Sequence, residues 1–89
     1  NIGYELASQH WGKGYATEAA SEILRFGFAD LCMHRIWATT ISENVGSARV
    51  LEKLGMRLEA HERDKEWIKD RWRDSLIYAI LDHEWRAAQ

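Results

Sequence analysis

The stretch Gln9-His10-Trp11-Gly12-Lys13-Gly14-Tyr15-Ala16 constrains the fold of this chain more than any other. It places two glycines between an alternating, strand-like run, Ile2-Gly3-Tyr4-Glu5-Leu6, and a long segment of helical periodicity. A strand that turns through glycines into a helix leaves unpaired backbone N–H groups at the helix start, where the helix dipole favours an anion. The ligand expected there is a diphosphate. A Walker loop needs four residues between its glycines and then Lys-Ser or Lys-Thr, whereas Lys13 lies between Gly12 and Gly14 and neither Ser nor Thr follows Gly14 directly. A dinucleotide fingerprint needs a third glycine and an acidic residue about 20 positions further on. Tyr15-Ala16-Thr17 holds no such glycine, and Asp30 comes too early.

Periodicity then lays out the chain. From Tyr15 to about Leu31, Ala16, Ala19, Ala20, Ile23, Leu24, Gly27, Phe28 and Leu31 recur at three and four, and Glu18, Glu22, Arg25 and Asp30 occupy the other face. Alanine and glycine on the inner face imply close packing on a sheet. Arg35 to Ile41 is rich in β-branched and aromatic residues and reads as a strand, so strand, helix and strand form one parallel crossover of right-handed sense. Asn44 can cap a short helix through Leu54, which Gly55 ends in the left-handed conformation. Two strands are expected to follow, Met56 to about Ile68 and Trp72 to about Leu81, joined as a hairpin near Lys69-Asp70-Arg71 without an Asn-Gly or Asp-Gly pair. Leu76 to Leu81 is apolar on both faces, as a central strand should be. The expected fold class is α/β (α+β): strand, helix, strand, helix, then an antiparallel hairpin, in one domain over residues 1–89.

A chain of 89 residues buries only about 60–65% of its unfolded surface. Five tryptophans, three tyrosines and two phenylalanines are a large aromatic load at this size, so association with another chain is expected. The net charge of −2, with bases and acids intermixed, offers no basic field for direct nucleic-acid binding. Cys32 is the single cysteine, which leaves neither an intrachain disulfide nor a thiolate metal site. No apolar run approaches the roughly 20 residues of a membrane span, and no signal peptide is evident, so the expected location is cytoplasmic.

Gln-x-x-Gly-x-Gly followed by Tyr-Ala-Thr-Glu-Ala closely resembles the coenzyme A loop of the GNAT superfamily of N-acetyltransferases. Asn44-Val45-Gly46-Ser47-Ala48-Arg49-Val50-Leu51-Glu52-Lys53-Leu54-Gly55-Met56 resembles the second signature of that superfamily, in the form carried by the RimJ/RimL-like branch that acetylates ribosomal-protein N-termini. Trp72-Arg73-Asp74-Ser75 opens the final strand as in that branch. The resemblance covers the whole chain, but the family domain begins with further helices and strands, so the chain resembles the C-terminal half of an acetyltransferase.

The resemblance implies acetyl-coenzyme A as a substrate and a primary amine, of a protein N-terminus or a small molecule, as acceptor. In the family, the diphosphate rests on N–H groups that map to Trp11, Gly12, Lys13, Gly14, Tyr15 and Ala16, with Gln9 in the same loop. The pantetheine arm lies between two splayed strands, against main-chain groups that map to Tyr4, Leu6 and Ser8. The Leu6 N–H would polarise the thioester carbonyl; ordinary ladder pairing is the alternative for it. Asn44 corresponds to an asparagine that meets the pantetheine, a role compatible with a helix cap. Many members place a tyrosine seven residues later as the thiolate's acid. Here that position is Leu51, and the branch lacking the tyrosine offers a serine, which maps to Ser47; a plain first-turn serine is the alternative for it. The general base is expected at or before Asn1, with Glu5 as an outside candidate.

Other residues read more plainly. His10 is expected to face solvent, and Cys32, at a helix end, to pack rather than accept an acyl group. His61, Glu62 and Arg63 fall where the resembled branch often has a Glu-x-x-x-Arg-like stretch near the acceptor, and Glu59, Glu62, Asp64 and Glu66 could attract a cationic amine, but all read first as the wet face of a hairpin. No spacing indicates a metal. The expected partners are acetyl-coenzyme A, an amine, and a second copy or a missing N-terminal half. The alternatives to an N-acetyltransferase are a coenzyme-binding or dimerising fragment without turnover, and a nucleotide-binding structural domain without thioester chemistry.

Overall fold

Alternation along Arg35–Ile41 buries Ile36, Ala38 and Thr40 and leaves the residues between them half-buried, which makes this strand the floor of the core. The computed structural model describes the backbone of residues 2–5 and 13–89, and side chains from residue 17 onward. In order along the chain stand β1 (Ile2–Glu5), α1 (Lys13–Arg25), a π-helical turn (Phe26–Asp30), β2 (Arg35–Ile41), α2 (Val45–Lys53), β3 (Arg57–Ile68), β4 (Arg71–Leu81) and α3 (Asp82–Ala87). β1 pairs in parallel with β2, from Ile2 opposite Ile36 to Glu5 opposite Thr39, and α1 supplies the crossover that a parallel pair requires.

β4 lies between β2 and β3 and is antiparallel to both, giving the sheet order β1-β2-β4-β3. That central place accounts for the unbroken apolar run from Leu76 to Leu81. Ile36 is paired with Ile80 and Ala38 with Tyr78, so these four share one face. Leu24 of α1, Phe28 of the π-helical turn and Leu51 of α2 close over that face as one cluster with Leu76 and Met56. Each fully buried side chain of this kind contributes about 1.5–3 kcal/mol relative to exposure. Ala20 of α1 meets Val50 and Leu54, so the two helices lie side by side on the sheet.

The long helix does not run unbroken to Leu31. The Leu31 N–H donates to the Phe26 carbonyl at 3.0 Å, five residues back, which inserts one residue into the turn. Gly27 and Phe28 thereby both face the sheet, whereas Leu31 and Ala19 are exposed. A Cβ on Gly27 would overlap Ile36 Cδ1, so the glycine is what allows the turn to seat this close to β2. Cys32 follows with φ 53° and is exposed, correcting the expectation that it packs.

Asn44 and Gly55 bound α2 as expected, Gly55 at φ 89°. The β3–β4 hairpin turns on Lys69 and Asp70, both left-handed at φ 51° and 67° between paired Ile68 and Arg71, which is type I′ geometry. Trp67 and Trp72, paired across the strands beside the turn, pack edge to face at 5.5 Å. Such a pair is worth about 0.5–1.5 kcal/mol, comparable with the ~1–2 kcal/mol cost of a left-handed lysine.

α3 was not expected from periodicity. The Leu81 N–H donates to Glu84 Oε1 at 2.9 Å, Trp85 stacks on Phe28 at 5.4 Å, and Arg86 donates to the Phe28 carbonyl at 3.2 Å. Its signals were Asp82 and Glu84 in the first turn and Arg86 in the last, charges matched to the helix dipole. Among the described residues, no helix is long and apolar enough to cross a membrane, and no group of three His, Cys, Asp or Glu is placed to hold a metal ion.

Candidate active site

Parallel β1 and β2 deliver their carboxyl ends to one edge of the core, and each leads into a helix start: β1 toward α1 at Lys13, β2 toward α2 at Val45. In open α/β sheets, ligands bind outside such strand ends. α1 and α2 pack together farther along, through Ala20 against Val50 and Leu54. Lys13, Gly14 and Tyr15 form the first turn of α1, whose N–H groups lack intrahelical acceptors by helix geometry.

Of the residues expected at the site, Leu6, Ser8, Gln9, Trp11 and Gly12 lie outside the described residues, as does His10. Lys13, Gly14, Tyr15 and Ala16 are the first four residues of α1, described in backbone alone. Glu5 is the last residue of β1, in register with Thr39, and its side chain is likewise outside the description.

The α2 side is described in full. Asn44 Oδ1 accepts from the Ser47 N–H at 3.1 Å, a helix cap that uses only the oxygen of the amide. The Asn44 amide nitrogen makes no hydrogen bond among the described residues, so capping and ligand contact use different atoms of one side chain. Ser47 is 1% exposed, and its Oγ is buried without a hydrogen-bond partner among the described residues. Thr40 Oγ1, on the core face near the end of β2, is also buried and has no hydrogen-bond partner among the described residues, the residue being 4% exposed. An orphaned buried hydroxyl costs about 1–3 kcal/mol, and these two lie on or just after β2. Thr40 escaped the reading of the sequence. Its signal was a hydroxyl at the third buried position of a strand whose other two are Ile36 and Ala38.

Leu51 has no ionisable proton to give a thiolate, and the Tyr78 hydroxyl proton is already engaged by Glu52. Leu51 is fully buried in the core. Tyr78 donates its hydroxyl to Glu52 Oε2 at 2.9 Å, and burial, reinforced by that carboxylate, pushes the phenol up to about 12.

His61 is an exposed strand residue, as expected, and its Nε2 lies 2.7 Å from Asp74 Oδ2. Asp74 Oδ1 accepts from the N–H of Asp64, which stands at φ 49° where β3 slips register between Glu62 and Glu66. That backbone N–H, followed by the bond to His61, holds the Asp74 carboxyl below the usual carboxylate range. A depressed carboxylate stabilises the fold above its unfolded pKa of about 3.9 and loses that contribution as pH falls through the lower folded value. Asp74→Asn is therefore expected to be less stable than the parent at pH 7, with the gap narrowing below about pH 4. Denaturant titrations at neutral and acid pH check this, and a gap of constant size would refute the linkage.

The same geometry agrees with what the chain is similar to. Residues 1–57 match a family described as an acetyltransferase (GNAT) domain. The chain is 43% identical over 84 residues to the uncharacterized N-acetyltransferase YnaD of Bacillus subtilis (strain 168), across 94% of this chain and 49% of that protein. To the putative ribosomal N-acetyltransferase YdaF of the same organism it is 30% identical over 84 residues, across 94% of this chain and 46% of that one. Among solved structures, a GNAT family acetyltransferase from Bacillus anthracis superposes with a TM-score of 0.74 at 41% identity, covering 88% of this chain and 47% of that one. The spermidine/spermine N-acetyltransferase SpeG from Vibrio cholerae gives 0.83 at 26% identity, covering 93% and 48%. The chain spans about half the length of the relatives it matches.

Proposed function

This chain belongs to the GNAT acetyltransferase family, and on that premise we propose that it binds acetyl-coenzyme A at the carboxyl ends of β1 and β2, within an enzyme that acetylates a primary amine. The observation that carries the reading is the buried Ser47 hydroxyl, unpartnered among the described residues in the first turn of a helix that starts at the strand ends. The α1 start, Lys13 to Ala16 with Gly12 before it, takes the diphosphate. Main-chain groups of Leu6 and Ser8 line the pantetheine arm, and the Asn44 amide donates to it. In the reaction the amine nitrogen attacks the thioester carbonyl, the C–S bond breaks, and the thiolate leaves. Ser47 donates a hydrogen bond to that developing charge.

The acceptor is a protein N-terminal amine or a small-molecule amine, in keeping with one relative named as a putative ribosomal N-acetyltransferase and another as a spermidine/spermine N-acetyltransferase. The base that deprotonates it lies before Asn1 in this reading, with Glu5 as the candidate inside the chain. Exposed Trp67 and Trp72, 59% and 52% accessible, support association with a second copy or with an N-terminal half. A cytoplasmic location belongs to the same proposal.

Isothermal titration with acetyl-coenzyme A, coenzyme A and ADP tests the reading. The two coenzyme forms are expected to bind at least about 10-fold tighter than ADP, a difference of ~1.4 kcal/mol supplied by the pantetheine groove. Equal affinity for all three would reduce the site to a nucleotide-binding loop.

A further inference from the structure

The loop that carries Asn44 is gripped from the side by the terminal hairpin. Glu43, one residue before the cap, is bonded through both carboxylate oxygens: Oε1 to Arg73 Nη1 at 2.9 Å, and Oε2 to Arg71 Nη2. Arg73 cannot follow Glu43 if the loop shifts, because its Nε also donates to the Ile68 carbonyl at 3.2 Å and its side chain is only 17% exposed. The neighbouring backbone is tied as well, the Ser42 N–H donating to the Asp74 carbonyl at 2.9 Å. Between clamp and cap the turn is tight: the Asn44 N–H donates to the Ile41 carbonyl at 2.9 Å, and the Val45 N–H to the Glu43 carbonyl at 3.1 Å. A displacement of Glu43 is therefore handed directly to Asn44.

We propose that Arg73, acting through Glu43, is a positioning residue that fixes where the Asn44 amide and the first turn of α2 meet the pantetheine arm. The inference rests on the reading of the site given above. The cap itself is local, so α2 persists without the clamp; what the clamp sets is the placement of the helix start against the sheet edge. Misplacement of a positioned group by about 1 Å can cost 100-fold.

The split between ligands tests the proposal. The diphosphate is held at α1 and the pantetheine at α2, so Arg73→Met is expected to weaken acetyl-coenzyme A binding about 10-fold while ADP affinity stays within about 2-fold. Glu43→Gln, at a carboxylate exposed enough to be replaced without unfolding, should reproduce that split. The double variant should lose less than the sum of the two single losses, since both variants remove the Glu43–Arg73 contact. Unchanged acetyl-coenzyme A affinity in both variants, an equal fall for ADP, or strictly additive losses would each overturn the positioning role. Failure of the parent protein to distinguish acetyl-coenzyme A from ADP is a separate result, and it would overturn the functional reading beneath it.

Discussion

Gly14→Asp is expected to abolish acetyl-coenzyme A binding, weakening it by at least about 100-fold, while the thermal midpoint of the chain stays level or rises. Gly14 is the second residue of α1, where the free N–H groups and the positive end of the dipole converge. An aspartate there occupies the diphosphate's space with a charge of the same sign. Each charge-assisted hydrogen bond lost is worth roughly 1.5–3 kcal/mol, so two suffice for a 100-fold loss at about 1.4 kcal/mol per decade. The fold responds in the opposite sense, because a carboxylate in the first turn stabilises a helix by about 0.3–1 kcal/mol, and aspartate has the better helix propensity. Titration calorimetry and thermal melts on the same sample separate the two effects. Binding retained at the parent level would remove the α1 start from the site. Binding lost together with the fold would mean that the substitution acts on structure instead.

Where hydrogen bonds follow from local chemistry, the chain was legible before its structure was known. Asn44 as a cap, Gly55 as a left-handed stop and the two-faced apolar run of β4 each follow from one residue or one alternation. The π-helical turn at Phe26–Asp30 was not legible, because inserting one residue into a helical turn leaves composition and periodicity almost untouched; only contact with Ile36 explains Gly27 there. The Lys69-Asp70 turn carries no glycine, and its geometry rests on a tryptophan pair that becomes adjacent once the strands are in register. At the site, Ser47 and Asn44 came from motif and order. The Glu43 clamp did not, because it joins residues 28 and 30 positions apart, and no pattern along the chain couples Glu43 to Arg71 and Arg73.

Ser47→Ala is expected to make the fold more stable and the enzyme slower. The Ser47 backbone N–H, which meets the Asn44 cap, is untouched by the change, so α2 keeps its start. What disappears is a buried hydroxyl without a partner among the described residues, whose removal relieves part of a penalty of about 1–3 kcal/mol. Alanine adds a few tenths of a kcal/mol, up to about 0.7, of helix propensity. A rise of about 1 kcal/mol in unfolding free energy is expected by denaturant titration. Acetyl transfer responds in the other direction, because a buried hydroxyl already positioned as a donor costs little reorganisation when charge develops on the departing sulfur. In the complete enzyme, kcat should fall roughly 10-fold to 1,000-fold with little change in acetyl-coenzyme A affinity, since the interaction belongs to the transition state. Two outcomes would contradict this. A loss of stability would mean that the hydroxyl has a protein partner, and an unchanged kcat with chemistry rate-limiting would leave Ser47 as a packed first-turn residue. If both measurements move as expected, the strain at Ser47 is the cost of a preorganised hydrogen bond. Thr40, whose buried hydroxyl likewise has no partner among the described residues, then becomes the next position to test.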